Sequence, residues 1–330
     1  MRHFQHLLES HWSQSRFVCV GLDSELSKLP ASALHYDQEG NVDSAASLIA
    51  FNRAIIEATH DLVCAYKPNT AFYEAYGIAG MVALEKTISL IHEIAPTVPV
   101  ILDAKRADIG NTNNGTVTFA FDYLKADAIT LHPYLGKEAL EPFLARKEKG
   151  AIILCKTSNV GSDEFQNLIV NRLFSKLADD DEGQGTPAHR PAVYKEVPED
   201  ANTGVTLSFA PAVEFRKKSD EEPLYKIVAR RVAEEWNANG NCGLVVGATY
   251  PKEIEAVRKI APNMPLLIPG IGAQGGSVEQ TVAAARTQQG TRMIINSSRG
   301  IIFASCEEDF AEAARCETEK LHQLIQKANS

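Results

Sequence analysis

The stretch "LDAKRADIGNT" (102–112) sets Asp103, Lys105, Arg106 and Asp108 directly behind the apolar run "VPVIL". Charge of this kind at the end of a hydrophobic strand points to a site that handles charge. Carboxylates and ammonium groups tolerate burial together only when opposite signs interleave. Residues two apart on an extended segment share a face, so Asp103 and Lys105 are expected to point into the same space. Lys67 in "CAYKP" (64–68) and Asp108 continue the alternation. For a single pair, a structural ion pair at a rim is the plain alternative. Several charges at neighbouring strand ends favour chemistry.

A second candidate is "LIPGIGAQGG" (267–276), a literal G-x-G-x-x-G at Gly270, Gly272 and Gly275. As a dinucleotide fingerprint it is weak, because it lies late in the chain and "TRMIINSSR" lacks the acidic residue expected about twenty positions on. The loop reads better as a phosphate site whose backbone N–H groups approach an anion, with Gln274 adding an amide and Arg299 in "INSSRG" adding charge-assisted donors. Glycines that only turn a tight loop are the alternative. His132 in "LHPYLG" ends a strand and reads better as a packed or hydrogen-bonded histidine than as a catalyst, and His3 and His6 read as surface residues. There is no HExxH, no clustered Cys/His set and no Walker motif, so no metal and no cofactor are expected.

The elements that must position these residues are legible as alternation. Strand candidates are "FVCVG" (17–21), "CAYKP" (64–68), "VPVILD" (98–103), "AITL" (128–131), "AIILC" (151–155), "GLVVG" (243–247), "PLLIPG" (265–270) and "RMIIN" (292–296). Between them run segments with apolar residues at helical spacing, such as "SAASLIAFNRAIIEATHDL" and "PKEIEAVRKIA". Eight such units predict an α/β fold, a (β/α)8 TIM barrel forming one domain over 1–330. An open doubly wound sheet is the competing architecture. In a barrel, chemistry gathers where strands end, which adds Asp23, Lys156 and Ser158 to the candidates. From about 176 to 222 the sequence turns polar and Pro-rich, with the acidic run Asp179–Glu182. This predicts a partly disordered insertion in the fifth βα segment.

Composition narrows the partners. The 330 residues carry 45% apolar content and a net charge of -9, enough for a full core and the wrong sign for nucleic acid or an anionic membrane as main partner. A small molecule fits better. The six cysteines show no CxxC pairing, and several lie in apolar runs, which suits a reducing compartment. No signal peptide and no membrane span are evident, so a soluble, cytoplasmic protein is expected.

"LDAKRADIGNT" matches D-x-K-x-x-D-I-x-x-T, and with "GLD" (21–23), "YKPN" (66–69), "KTSN" (156–159), "PGIGAQGG" and "SSRG" the chain resembles the orotidine 5'-phosphate decarboxylase family, most of all its longer branch. The resemblance spans about 21–300 apart from the insertion. It implies cofactor-independent decarboxylation of orotidine 5'-monophosphate (OMP) to UMP in a homodimer with shared active sites. It further implies Lys105 as proton donor to C6, Asp103 beside the departing carboxylate, and Lys67 completing the array and binding ribose. Asp23 would hold the ribose hydroxyls, Ser158 the pyrimidine edge, and Gln274 and Arg299 the phosphate. Asp108, Ile109 and Thr112 would reach into the partner subunit's site. A Mg2+-dependent phosphosugar keto-acid decarboxylase or aldol-type synthase is the alternative, although it needs an acid near strand two, where the chain has Lys67 and Pro68. A catalytically silent nucleotide binder and a dehydrogenase rank behind these.

Overall fold

The structure, a computed structural model, describes residues 2–171, 221–271 and 275–330. Within these, helix α1 (Phe4–Trp12) precedes strand β1 (Val18–Gly21), α2 (Ser44–Thr59), β2 (Val63–Lys67), α3 (Thr70–Glu74), α4 (Gly77–Ile94) and β3 (Ile101–Arg106). Then follow α5 (Gly110–Val117), β4 (Ala128–Leu131), α6 (Gly136–Leu144), β5 (Gly150–Lys156), β6 (Ile169–Asn171) and β7 (Glu221–Pro223). Strands β8 (Cys242–Val246), β9 (Leu266–Pro269) and β10 (Met293–Ser297) complete the sheet, and the helix Phe310–Asn329 closes the chain.

Among the described residues, eight parallel strands pair in the order β2-β1-β10-β9-β8-β5-β4-β3. The two outer strands meet through the parallel pairs Tyr66–Val100 and Asn69–Asp103, so the sheet curls into a nearly closed (β/α)8 barrel. The expected fold is therefore found, and the open sheet is excluded. Parallel strands covered by helices on the outside and packed side chains inside are apolar on both faces, which is why runs such as "VCVG" and "AITL" show no alternation and are buried throughout.

The connections follow local chemistry. Asp43 caps α2 by accepting from the Ala46 amide at 2.9 Å, and Asn69 caps α3 by accepting from the Ala71 amide at 3.2 Å. Pro251 occupies the first turn of the helix Pro251–Ile260, where a missing N–H is harmless. Helix α1 lies under the barrel, opposite the strand ends that carry the candidate residues. Arg2 pairs there with the buried Asp127 at 2.7 Å, and the Trp12 indole donates to the Met293 carbonyl at 2.8 Å. Cys19, Cys64, Cys155 and Cys242 are buried and unpaired, and burial pushes the thiols of Cys19 and Cys155 up to about 12. They act as small apolar side chains.

Of the segment 176–222 anticipated as an insertion, only Glu221 and Glu222 are described, and the rest lies outside the described residues. Both stand in β7, which pairs antiparallel with β6. The ribbon of β6 and β7 stands in chain order between β5 and the helix Leu224–Arg231.

Candidate active site

Lys67 is the last residue of β2, and Asp103 sits in β3 across the seam that closes the barrel. The Asp103 amide donates to the Pro68 carbonyl at 2.9 Å, so seam closure itself brings the two side chains together. Lys67 Nζ lies 2.8 Å from Asp103 Oδ2, and Lys105 Nζ lies 2.7 Å from Asp103 Oδ1. The Thr130 hydroxyl donates to Asp103 Oδ1 at 2.8 Å while accepting from the Lys105 amide at 3.0 Å. Burial acts to raise the Asp103 carboxyl, but the two ammonium groups outweigh it and hold it well below the usual carboxylate range. Burial likewise disfavours charge on Lys67, and the carboxylates of Asp103 and Asp23 reverse the balance and raise it.

The route by which Lys105 reaches Asp103 differs from the expectation. The chain is not extended here: Lys105 adopts φ 46°, and the β3–β4 register shifts between Leu102 and Arg106. A left-handed non-glycine residue costs about 1 to 3 kcal/mol, a strain held here by the Thr130 bond and the ion pair. The two-residue spacing gave the right neighbours for the wrong reason, since a bulge rather than pleating aims the lysine.

These residues form the floor of a cavity of about 460 Å³ at the C-terminal ends of the strands. Asp23, Ser158, Gly270 and Arg299 also line it. Asp23 Oδ1 is buried without a hydrogen-bond partner among the described residues, an acceptor available to a ligand hydroxyl. Arg299 is exposed, and Gly270 holds a φ of 100° that a side chain would resist. Gly272 and Gln274 lie outside the described residues. Gly275 does not line the cavity, but at φ 85° it helps turn the loop back so that the Gly276 amide donates to the Gly270 carbonyl at 3.2 Å.

Other expected residues stand apart from this cavity. Asp108, Ile109 and Thr112 are exposed beyond β3 and do not line it, with Asp108 Oδ1 accepting from the Ile109 amide at 2.7 Å. Lys156, taken as a strand-end candidate, is fully buried and does not line the cavity, because it points behind the loop that carries Ser158. His132 hydrogen-bonds the Ala107 carbonyl at 3.1 Å, the packing role anticipated for it. Among the described residues no group of three His, Cys, Asp or Glu side chains is arranged to hold a metal ion, and no helix is long and apolar enough to cross a membrane.

Sequence reasoning missed Thr130, Asn296, Thr157 and Gln166, all of which line the cavity. Asn296 follows the apolar run "MII" at a strand end, so the rule that found Asp23 finds it too. Thr130 is the one polar residue inside "AITL". Gln166 sits in a loop with no periodic signal and is placed by folding, its amide bonded both ways to Thr157 at 2.8 Å.

Comparison with known proteins converges on one family. The model of the orotidine 5'-phosphate decarboxylase / HUMPS family matches residues 16–206 and 205–315. The orotidine 5'-phosphate decarboxylase of Herpetosiphon aurantiacus is 44% identical over 298 residues, covering 90% of this chain and 88% of that protein. The structure of Leishmania donovani OMP decarboxylase is 32% identical with a TM-score of 0.70, covering 98% of this chain and 99% of the other. That of Leishmania donovani UMP synthase is 33% identical with a TM-score of 0.72, and this chain spans 57% of its longer length. With its (β/α)8 barrel and these matches over most of its length, the chain belongs to the orotidine 5'-phosphate decarboxylase / HUMPS family, among carboxy-lyases of pyrimidine biosynthesis.

Proposed function

We propose that the protein decarboxylates OMP to UMP without metal or cofactor, with Lys105 as the proton donor. The observation that carries this reading is the Asp103 carboxylate held between two ammonium groups on the floor of the strand-end cavity. Loss of CO2 from C6 breaks the C–C bond and leaves its electron pair in the ring plane, where the π-system cannot accept it. The charge must therefore be stabilised by a fixed cation nearby. Lys105 supplies it and then gives its proton to C6, forming the C–H bond of UMP, and regains a proton from water. Asp103 fixes both lysines and opposes the substrate carboxylate.

The remaining side chains divide the rest of the nucleotide. Asp23 and Lys67 take the ribose hydroxyls, Ser158 the pyrimidine edge, and Gly270, Gln274 and Arg299 the phosphate. Binding energy from the distant phosphate then serves orientation at C6. The exposure of Asp108, Ile109 and Thr112, with Ile109 63% exposed, supports their seating against the cavity of a second subunit, making a homodimer with shared sites. Buried reduced thiols support a cytoplasmic location.

The test is loss of the OMP ultraviolet absorbance by purified protein treated with EDTA. Full activity is expected, and Lys105→Ala should lower turnover by more than about a hundredfold while still binding UMP. Activity abolished by EDTA and restored by Mg2+ would transfer the protein to the metal-dependent phosphosugar reading. A wild-type protein that binds UMP without turnover would make it a silent binder.

A further inference from the structure

Lys156 is a fully buried ammonium that the chemistry above does not use. It ends β5 and turns away from the cavity, behind the arc that carries Ser158. Its Nζ donates to the Ser162 hydroxyl at 2.8 Å and to Asp163 Oδ1 at 2.5 Å, and it lies 4.4 Å from the centre of the Tyr250 ring. These groups come from two different strand-end connections. Ser162 and Asp163 follow β5, whereas Tyr250 follows β8. The Gly247 amide donates to the Lys156 carbonyl at 2.7 Å, stitching the same two connections through the backbone.

A buried cation with so few partners is costly unless the partners are held in place, and it holds them in return. Asp163 also accepts from the Asn167 amide group at 2.7 Å, and the Gln166 amide accepts from the Thr157 N–H. The arc 157–166 is thus tied at its middle to Lys156 and at its ends to itself. Its inner side lines the cavity with Thr157, Ser158, Asn159 and Gln166, whereas Gly270 and Arg299 line it from the ends of β9 and β10. Among the described residues no hydrogen bond joins Lys156 directly to Gly270 or Arg299; its tie to that side runs only through the neighbouring Ala248 amide, which donates to the Pro269 carbonyl at 2.8 Å.

We propose that Lys156 is a positioning residue for base recognition: clamped by Ser162, Asp163 and the Tyr250 ring, it fixes the 157–166 arc so that Ser158 and Gln166 meet the pyrimidine edge of the nucleotide. This rests on the OMP decarboxylase reading, and it adds a residue that touches neither substrate nor reacting atoms.

The experiment compares a ligand with a base and one without. Wild type, Lys156→Met and Asp163→Asn are assayed as full-length protein for OMP turnover and for inhibition by UMP and by ribose 5-phosphate. Lys156→Met keeps the side-chain volume without the charge, and Asp163→Asn removes the exposed partner with little risk to folding. Lys156→Met should raise the OMP KM and the UMP inhibition constant by about tenfold or more, and leave that of ribose 5-phosphate within about twofold. Asp163→Asn should show the same split more weakly. Equal weakening of both inhibitors would mean a general loss of barrel integrity and overturn the proposal, as would an unchanged UMP constant. If Lys156→Met does not fold, the split in Asp163→Asn decides alone. A wild type that neither turns over OMP nor binds UMP would instead defeat the underlying reading.

Discussion

Asp103 is a carboxylate whose own burial works against it, and two lysines reverse the outcome. Its depressed carboxyl adds stability at pH above its ordinary value of about 4, and that contribution drains away as pH falls further. The raised Lys67 adds stability below its ordinary value of about 10 and loses it only in stronger alkali. Both groups are therefore charged across the range in which the enzyme is handled. Asp103→Asn leaves Lys67 buried without its counter-ion and should cost about 3 kcal/mol or more at neutral pH. Thermal melts should show a gap between wild type and variant that is steady from about pH 5 to 7 and narrows below about pH 4. A gap that widens on acidification would contradict this assignment of charge.

Strands β5 and β8 place Ser158 because Gly247 has no side chain. A Cβ at Gly247 would stand 2.8 Å from the Ser158 Cα and amide nitrogen, so the loop after β5 rests directly on the backbone after β8. Gly247→Ala must push that loop inward and should cost about 1 to 3 kcal/mol by overpacking, with a higher OMP KM as Ser158 moves. Chemical denaturation and steady-state kinetics check the two effects together. Gly21 has the same relation to the loop after β10, where a Cβ would meet the Ser298 hydroxyl at 1.8 Å. The two glycines act as spacers: their role follows from neighbours distant in the chain and is invisible to any local pattern.

Across the whole molecule, the two ends of the barrel divide the work. The lower end is sealed by α1, where Phe4 packs against the Gly150 backbone and Arg2 engages Asp127. Phe4→Ala should lower stability by about 3 to 5 kcal/mol and leave kcat unchanged below the melting transition, because the chemistry sits at the opposite face. A reduced kcat in protein still folded would show that the two ends are coupled. The upper end, with Asp108, Ile109 and Thr112 exposed, is where the proposed second subunit would dock. If Asp108 completes the partner's cavity, mixing inactive Lys105→Ala and Asp108→Ala proteins should restore activity, since each mixed dimer holds one site free of both changes. Random exchange then recovers about a quarter of wild-type activity, and no recovery would argue that each chain works alone.

The chain's eight apolar runs and its polar strand ends determined the barrel and named the residues at its mouth, because burial of strands and solvation of charge are written in local residue type. Asp103, Lys67 and Lys105 were legible on those grounds, as was Arg299. What only tertiary structure decided was direction. The left-handed turn at Lys105, the retreat of Lys156 behind its loop and the arrival of Thr130 and Gln166 in the cavity all depend on which strands become neighbours when the barrel closes. A sequence records what a side chain prefers, but the seam between β2 and β3 sets what it meets.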